Sequence, residues 1–299
     1  MRSKFLRLTL MLRIAVCFIL INACDSAPSD PANDGNNTTG ITGEYLGQTP
    51  PGRELIQFAP EFVPQGSHAS VTVSPDGQEI YWTSNTSIIV TKLLNERWTT
   101  PEVVSFSGQG TRNFYDDVPV ISPDNTKLFF SSWRQLGSST KENIWYVERT
   151  QTGWGEPIPV SDNVNNIYFY WQISVSNSGT LYFSGLSPNT YGEYDIYYST
   201  FVNGEYTTPV NMGPVINGQY GESCPFIDPN ESYILFSKII AGRSTGIYIS
   251  FKSQDGEWLV PQKLEALNNN IVSFVSRDGR YIFTHNYWIS AEIIENLRP

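Results

Sequence analysis

Five short stretches of the 299-residue chain combine side chains that could bind a ligand. They are Gln65-Gly66-Ser67-His68, Asn113-Phe114-Tyr115-Asp116-Asp117, Ile167-Tyr168-Phe169-Tyr170-Trp171, Gln219-Tyr220-Gly221-Glu222-Ser223 and Asn268-Asn269-Asn270. Aromatic rings stack on sugar faces, and carboxylates and amides bond to hydroxyl groups or to a peptide terminus. The candidate ligand-binding residues are therefore His68, Tyr115, Asp116, Asp117, Tyr168, Tyr170, Trp171, Tyr220 and Glu222. The alternative is structural: the acids bond to turn backbones and the rings fill gaps.

The carboxylates in this set also suggest a reaction. Glycoside hydrolysis uses two carboxyl groups roughly 5 to 10 Å apart, and Asp116, Asp117 and Glu222 come from separate parts of the chain that a fold could bring together. A glycan-active hydrolase is therefore the alternative to a binding function. The same carboxylates, with loop carbonyls, could hold a calcium ion. We otherwise expect no cofactor and assign no metal ligand.

Other motifs in the chain carry no reaction that we can assign. Residues 242–246 (Gly-Arg-Ser-Thr-Gly) match the G-x-S-x-G nucleophile motif, but that motif works only at a strand-to-helix turn, and here we expect a hairpin. His68 and His285 are the only histidines, and no zinc-protease motif, phosphate loop or dinucleotide fingerprint occurs. Cys224 begins an apolar stretch, which favours a buried structural thiol.

A turn box recurs five times and predicts the elements that position these residues. The copies are Ser74-Pro75-Asp76-Gly77, Ser122-Pro123-Asp124-Asn125, Ser176-Asn177-Ser178-Gly179, Asp228-Pro229-Asn230-Glu231 and Ser276-Arg277-Asp278-Gly279. Their spacings are 48, 54, 52 and 48 residues. An apolar triplet or near-triplet, such as Ile80-Tyr81-Trp82, follows each box. Consecutive apolar residues of β type indicate a strand covered on both faces.

Two further boxes complete a unit of four strands. An Ile-aromatic box, as in Asn143-Ile144-Trp145-Tyr146, indicates a third strand. An aromatic residue three positions before a proline, as in Trp154 and Pro157, indicates an outer strand, because proline cannot donate to a ladder. Four antiparallel strands in about 50 residues, repeated, are typical of a propeller blade. We therefore predict an all-β fold, a β-propeller of four-stranded antiparallel blades. We expect five blades, with six as the alternative if residues 43–62 form a degenerate extra blade.

The two ends of the repeat region predict how the ring closes. The fifth copy reaches Pro299 without an outer strand, whereas residues 55–62 look like an outer strand without a blade. Pairing this N-terminal strand into the last blade would remove exposed edges and join the termini. In a propeller, the loops that lead into the innermost strands open onto one end of the central channel, and these loops carry the candidate residues.

The boxes resemble the PD40, or WD40-like, repeat of TolB-type periplasmic β-propellers, in which Ser-Pro-Asp-Gly precedes an aromatic strand and a later Asp-Ile-Tyr box. The resemblance covers residues 44–299 through five boxes. Ser178 and Asn230 replace the Asp in copies three and four, and the last copy lacks its Asp-Ile-Tyr box. The resemblance implies an envelope location and a binding or scaffolding role, with no named reaction.

The N-terminus resembles the export signal of a bacterial lipoprotein. A basic segment precedes an apolar run that is short for a membrane span, and the run ends in Ile21-Asn22-Ala23-Cys24. By resemblance to the lipobox, residues 1–23 are a signal peptide and Cys24 is diacylated, so that it anchors the chain to a membrane. We predict a flexible tether over residues 24–43 and a single propeller domain over residues 44–299. The alternative is an ordinary secreted protein with an incidental cysteine.

Charge excludes one class of partner. The formal net charge is −10, and four of the 19 bases lie in the predicted signal peptide, which leaves 15 bases against 29 acids. A surface with this much negative charge repels phosphate backbones, and we therefore expect no nucleic-acid partner. We expect the protein to contact the membrane only through its N-terminal lipid. We predict a lipid-anchored module of the bacterial cell envelope, on its periplasmic or outer-surface side. It would bind an envelope protein or a glycan at the channel mouth.

Overall fold

The computed structural model describes residues 38–64, 70–108, 115–137, 141–271 and 274–299. Their strands pair antiparallel into five sheets of four or five strands, with one additional two-stranded hairpin. The five sheets are the blades of a β-propeller, so the predicted fold class and the predicted blade number are confirmed. Residues 43–62 contain only a 3-10 turn and one short strand, and they do not form a sixth blade.

Each blade follows the predicted order, from an innermost strand to an outer edge. Blade 1 contains Thr72–Val73, Glu79–Ser84 and Ser87–Leu94, with Arg97–Trp98 and Glu102–Val103 at its edge. Blade 2 contains Asp116–Ile121, Lys127–Ser132 and Asn143–Thr150, with Gly153–Trp154 and Ile158–Pro159 at its edge. Blade 3 contains Tyr168–Val175, Leu181–Leu186, Asp195–Ser199 and Val210–Asn211, plus the hairpin Phe201–Val202 and Glu205–Tyr206. Blade 4 contains Gly221–Ile227, Tyr233–Ile240, Arg243–Phe251 and Gln262–Lys263. Blade 5 contains Phe274–Val275, Tyr281–Thr284, Tyr287–Ser290 and the N-terminal strand Ile56–Gln57.

Helices are few and short in the described part of the chain. They comprise the α-helices Asp162–Asn165 and Glu292–Glu295 and the 3-10 turns Glu44–Gly47 and Glu265–Leu267. Within the described ranges, no helix has the length and apolar character that crossing a membrane requires.

The turn box works through side-chain hydrogen bonds. In blade 1, the Ser74 hydroxyl donates to the Asp76 carboxylate at 2.6 Å and accepts from the Glu79 amide at 2.9 Å. Gly77 completes the turn at φ +71°, a conformation in which an L side chain is strained. The strand that follows is covered on both faces, since Ile80 and Tyr81 are 0% exposed. The box therefore fixes the start of the blade's second strand in place.

The ring closes through the N-terminal strand, as the sequence predicted. Ile56 pairs with Trp288 and Gln57 pairs with Tyr287, both antiparallel. The next residue, Phe58, donates its amide to the Asn286 carbonyl at 2.8 Å. Its buried ring meets Trp288 edge-on, with centroids 5.1 Å apart. The N-terminal segment thus supplies the outer strand that blade 5 lacks.

The tether predicted over residues 24–43 extends too far toward the propeller. The Thr39 amide donates to the Trp98 carbonyl at 2.8 Å, and the Trp98 amide donates to the Ile41 carbonyl at 2.9 Å. The Trp98 indole also donates to the Gly43 carbonyl at 2.7 Å. Residues 38–43 therefore form an added edge on blade 1 rather than a free linker, because Trp98 offers both backbone and indole groups. Residues 1–37, including Cys24, lie outside the described residues.

The ring closure predicts a large cost for removing the Phe58 side chain. Phe58 is fully buried and also packs edge-on against Phe283, with centroids 5.1 Å apart. We expect Phe58→Ala to lower the free energy of unfolding by about 3–5 kcal/mol, since a large buried ring is lost. The matched control is Phe201→Ala, at a ring that is 43% exposed on blade 3, which should change stability by less than about 1 kcal/mol. Urea denaturation measures both values, and equal effects would contradict this account of the closure.

Candidate functional site

The two ends of the channel differ in what they present. One end carries the five turn boxes, and we call it the box face. The opposite end, which we call the mouth face, carries the loops that lead into the innermost strands and the loops that join each second strand to its third. At the box face, the residue before each box packs around the channel axis: Val73, Ile121, Val175, Ile227 and Val275 line a cavity of only about 40 Å³. These side chains are 1–7% exposed, so at this end the channel axis has room for no more than one or two waters.

The innermost strands of blades 2, 3 and 4 bulge near the mouth face. Their pairing shifts register after Asp117, after Phe169 and after Ser223. Within each bulge a non-glycine residue adopts a positive φ, at Val118 (45°), Trp171 (74°) and Cys224 (52°). Such a conformation is strained, above all for a β-branched residue. Bulges commonly redirect side chains beside functional sites, and here they concentrate strain at the channel mouth.

Trp171 shows what this redirection achieves. Its ring centroid lies 5.9 Å from that of His285, which belongs to the hairpin loop of blade 5. Blades 3 and 5 are not neighbours in the ring, so this contact crosses the channel mouth. Beside it, Tyr170 stacks on Tyr194 with centroids 3.9 Å apart. The mouth is therefore partly covered by aromatic side chains that start from blade 3.

Exposed aromatic side chains surround this cover. Trp133, Tyr168, Tyr191 and Tyr220 are 52%, 51%, 55% and 40% exposed, and all four lie in loops of the mouth face or where an innermost strand begins. We call these four residues the aromatic arc. Large exposed rings bury substantial area on contact with a partner, so their grouping on one face marks a recognition surface.

Backbone and side-chain contacts connect the loops of the arc across three blades. The Trp133 amide of blade 2 donates to the Tyr115 carbonyl at 3.1 Å. The Lys141 ammonium, in the same hairpin loop, donates to the Ile167 carbonyl at 3.1 Å, next to Tyr168 of blade 3. In turn, the Glu193 amide of blade 3 donates to the Tyr220 carbonyl of blade 4 at 3.3 Å. The segments that carry the arc are therefore connected to one another over blades 2, 3 and 4.

Two carboxyl groups and a phenol lie together on blade 2. Burial raises the pKa of Glu142 to about 7, and the charge of Asp117 also raises it. A hydrogen bond with Ser131 lowers this pKa but does not offset the effect of burial. Burial and the Asp117 carboxylate, which accepts its hydrogen bond, raise the pKa of Tyr115 to about 12. Asp117 itself is 3% exposed and also accepts from the Val118 amide at 2.8 Å. Asp117 therefore connects these groups from the interior, and Glu142, which is half-buried, is the more accessible of the two carboxyl groups.

Asp116 is placed differently from its neighbour. It is 0% exposed, and Ser107, Ser132 and Arg134 donate hydrogen bonds to its two oxygens at distances of 2.6–3.0 Å. The planar guanidinium of Arg134 matches both carboxylate oxygens at once. Asp116 therefore joins blades 1 and 2 inside the protein and is not part of the channel mouth, because all of its acceptor capacity is used internally.

Glu222 is also internal. It is 0% exposed at the junction of blades 3 and 4, where its Oε2 accepts from the Gly218 amide at 2.8 Å. Lys238 Nζ lies 3.9 Å from Oε1. Burial is the main cause that raises the pKa of Glu222 to about 7, and the charge of Asp195 raises it further. The hydrogen bond from Gly218 and the charge of Lys238 act in the opposite direction and lower the pKa. The carboxylate pair suggested from Asp116, Asp117 and Glu222 therefore does not form at the mouth.

The remaining candidates fall into two groups. Tyr115, Asp117, Tyr168, Tyr170, Trp171 and Tyr220 all lie at the mouth face. His68 lies outside the described residues. Residues of the segments that join second and third strands were not among the predicted ligand-binding residues, namely Trp133, Glu142, Tyr191, Tyr194 and His285. A signal was available, since in an antiparallel blade these loops end on the same face as the loops that lead into the innermost strands.

Cys224 and residues 242–246, to which the sequence assigned no reaction, lie in the surroundings that we expected. Cys224 is 1% exposed, and burial raises the pKa of its thiol to about 12, which keeps it protonated and unreactive. Residues 242–246 belong to the hairpin between the second and third strands of blade 4, so no nucleophile elbow is formed there. Among the described residues, no group of three or more His, Cys, Asp or Glu side chains is arranged to hold a metal ion.

Comparison with known proteins gives similarity in fold. No protein-family model and no curated protein matches the sequence. Solved structures that are similar include a protein from Agrobacterium tumefaciens assigned as TolB, at 20% identity over 72% of this chain and 68% of that chain, with a TM-score of 0.49. A gluconolactonase from Xanthomonas campestris is 10% identical over 73% of this chain and 69% of that chain, with a TM-score of 0.48. TolB from Acinetobacter baumannii is 14% identical over 73% of this chain, which spans 52% of that chain, with a TM-score of 0.43. A likeness at this level concerns the fold and not the activity.

The raised pKa of Glu142 predicts a pH-dependent stability. Between its ordinary value of 4.5 and its folded value of about 7, the folded protein binds the proton more tightly, so stability falls as pH rises through this window. Glutamine cannot ionise, so we expect Glu142→Gln to exceed the wild type in unfolding free energy by on the order of 1–3 kcal/mol at pH 8. At pH 4.5 this gain should vanish. Urea denaturation at both pH values measures it, with exposed Glu205→Gln as the control, and a difference independent of pH would contradict the assignment.

Proposed function

We propose that the protein is a binding module that recognises a carbohydrate chain with its mouth face. The observation that carries this proposal is the aromatic arc beside the buried Asp117 and the half-buried Glu142. Rings at the rim can stack on sugar faces, while the carboxyl groups and the Tyr115 hydroxyl are placed to bond sugar hydroxyls. The packed axis at the box face supports the same conclusion, because it leaves little room for a ligand at that end of the channel.

The chemistry of the mouth favours a sugar over a protein partner. The cores of protein–protein interfaces are depleted in Asp and Glu, whereas blade 2 carries Asp117 and Glu142 at one end of the aromatic arc. The cations nearby are already engaged, since Arg134 pairs with Asp116 and Lys141 donates to a backbone carbonyl. Since these cations of the described residues are engaged, we expect an uncharged or cationic ligand rather than an anion. An envelope protein remains the alternative partner, and the binding experiment below distinguishes it.

A second candidate function is hydrolysis of a glycosidic bond at the same mouth. The observation that favours it is the pairing of Glu142, whose pKa is about 7, with Asp117. A carboxyl with a pKa near neutrality suits a general acid, and its partner could act as base or nucleophile. Chromatography of an oligosaccharide incubated with the protein distinguishes the two functions. If the wild type shortens the oligosaccharide and Glu142→Gln does not, the protein is a hydrolase. If the oligosaccharide is unchanged, the protein binds it without hydrolysis.

We also propose that the module is anchored in the bacterial envelope. The support is the lipobox-like Ile21-Asn22-Ala23-Cys24, preceded by a basic and then an apolar segment. The acidic body matches this location, since it would be held at the membrane through its lipid rather than through its surface charge. In this arrangement residues 24–37 would link the lipid to the edge of blade 1.

The arc predicts which substitution weakens binding. Tyr168→Ala should weaken the affinity for a neutral oligosaccharide about tenfold, because a stacked ring contributes roughly 1–2 kcal/mol. The matched control is Phe201→Ala, which removes an exposed ring at the box face and should leave affinity unchanged. A glycan array selects the oligosaccharide, and titration calorimetry on the purified full-length chain measures its affinity. Equal effects of the two substitutions, or capture of an envelope protein without any glycan binding, would contradict the proposal.

The anchor predicts a labelling result. Bacteria that express the full-length chain and are fed a palmitate analogue should label the wild type and lose that label in Cys24→Ala. The control is Cys224→Ala, which should stay labelled, since Cys224 is buried in the propeller. Label that persists in Cys24→Ala would contradict the lipid anchor.

A further inference from the structure

The junction of blades 3 and 4 holds two buried carboxylates, Asp195 and Glu222, each 0% exposed. One oxygen of each is well bonded: Asp195 Oδ2 accepts from the Tyr191 amide at 2.8 Å and from Asn211 Nδ2 at 2.6 Å. The other oxygens, Asp195 Oδ1 and Glu222 Oε1, have no hydrogen-bond partner among the described residues. Buried carboxylate oxygens without a donor are rare, so these two call for a partner.

The two side chains start from adjacent points of the backbone. The Glu222 amide donates to the Tyr194 carbonyl at 2.7 Å, and Tyr194 immediately precedes Asp195. Lys238 Nζ is the cation that lies near, 3.9 Å from Glu222 Oε1, which is beyond hydrogen-bonding distance. One ammonium group at that distance does not compensate two desolvated carboxylates.

The repeat supplies an internal comparison at the junction of blades 1 and 2. There the Asp116 amide donates to the Thr86 carbonyl at 3.1 Å, just as the Glu222 amide donates to the Tyr194 carbonyl. Asp116 therefore corresponds to Glu222, and Ser87 corresponds to Asp195. At that junction one carboxylate meets the Arg134 guanidinium, which bonds both oxygens. The junction of blades 3 and 4 has one more acid and lacks the bidentate cation.

We propose that the junction of blades 3 and 4 is a calcium site, with Asp195 Oδ1 and Glu222 Oε1 as its carboxylate ligands. Calcium is a hard cation that takes carboxylate and carbonyl oxygens in irregular arrangements, whereas magnesium demands a regular octahedron and keeps several waters, which suits a buried site poorly. With two carboxylates as the charged ligands, we expect a dissociation constant on the order of 0.1–1 mM, the range of weak extracellular calcium modules.

The ion would connect two loops that carry residues of the aromatic arc. Asp195 ends the loop that carries Tyr191 and Tyr194, and Glu222 follows Tyr220 in the loop of the next blade. A calcium ion shared by the two carboxylates joins these loops, so half of the aromatic arc becomes ordered by it. This inference goes beyond carbohydrate binding, because the site stands on the junction geometry whatever the arc binds.

Thermal unfolding of the purified full-length chain after EDTA treatment tests the site. Adding 10 mM CaCl₂ should raise the wild-type Tm by about 2–6 °C, and 10 mM MgCl₂ should raise it less. Asp195→Asn and Glu222→Gln should each abolish the calcium response and raise the calcium-free Tm, because each removes an uncompensated buried charge. Glu193→Gln, an exposed acid two residues from Asp195, is the control and should keep the full response.

Terbium luminescence gives a second measurement that does not depend on stability. Terbium alone should show emission sensitised through Tyr194, which calcium displaces and which Asp195→Asn loses while Glu193→Gln retains it. A wild type without a calcium response, or an equal response in Asp195→Asn, would overturn the proposal. The proposal would also be overturned if the wild type does not respond to calcium and Glu222→Gln raises the Tm only above pH 7. That result would show that the two carboxylates share a proton. Carbohydrate binding that survives in Asp195→Asn leaves the proposed function standing, so the two failures are distinguishable.

Discussion

Two residue pairs, Ile56 with Trp288 and Gln57 with Tyr287, join the N-terminal segment to blade 5, and the rest of the molecule depends on them. A ring of blades has no free edge only when the last blade is completed. Here the missing strand comes from the other end of the domain, and Phe58 fixes it by packing against Phe283 and Trp288. Only in a closed ring do the five innermost strands begin around one channel mouth.

The repeat then divides stability and recognition between the two ends of the channel. At the box face, each blade contributes one apolar side chain to the axis and one hydrogen-bonded turn to the rim, so the blades resemble one another. At the mouth face they diverge. Blades 2, 3 and 4 contribute strained bulges and exposed rings, and the bulge in blade 3 directs Trp171 across the channel to His285. Strain at one end is tolerated because the other end is closed and packed.

Sequence periodicity was sufficient to predict the fold, the number of blades and the way the ring closes. These features depend on local rules: a turn box that caps itself, apolar strands covered on both faces, and one spare N-terminal strand that matches the strand missing from the last blade. The site was predicted less completely, because it depends on contacts that spacing does not encode. The sequence around Asp116 does not indicate that its carboxylate binds Arg134, 18 residues away in the next loop. That contact is the reason why Asp116 lies inside the protein. Glu142 went unnoticed because it belongs to a hairpin loop rather than to a loop leading into an innermost strand. Residues 38–43 read as a polar linker, yet they bind Trp98 through backbone groups that composition cannot reveal.

Recognition on the mouth face can be tested by hydroxyl-radical footprinting of the full-length chain with and without a bound oligosaccharide. Radicals modify exposed aromatic rings, and the chain offers such rings on both faces. The ligand should protect the aromatic arc (Trp133, Tyr168, Tyr191 and Tyr220), while Phe201 should stay as reactive as in the free protein. Protection of Phe201 with no change in the four residues of the aromatic arc would contradict it.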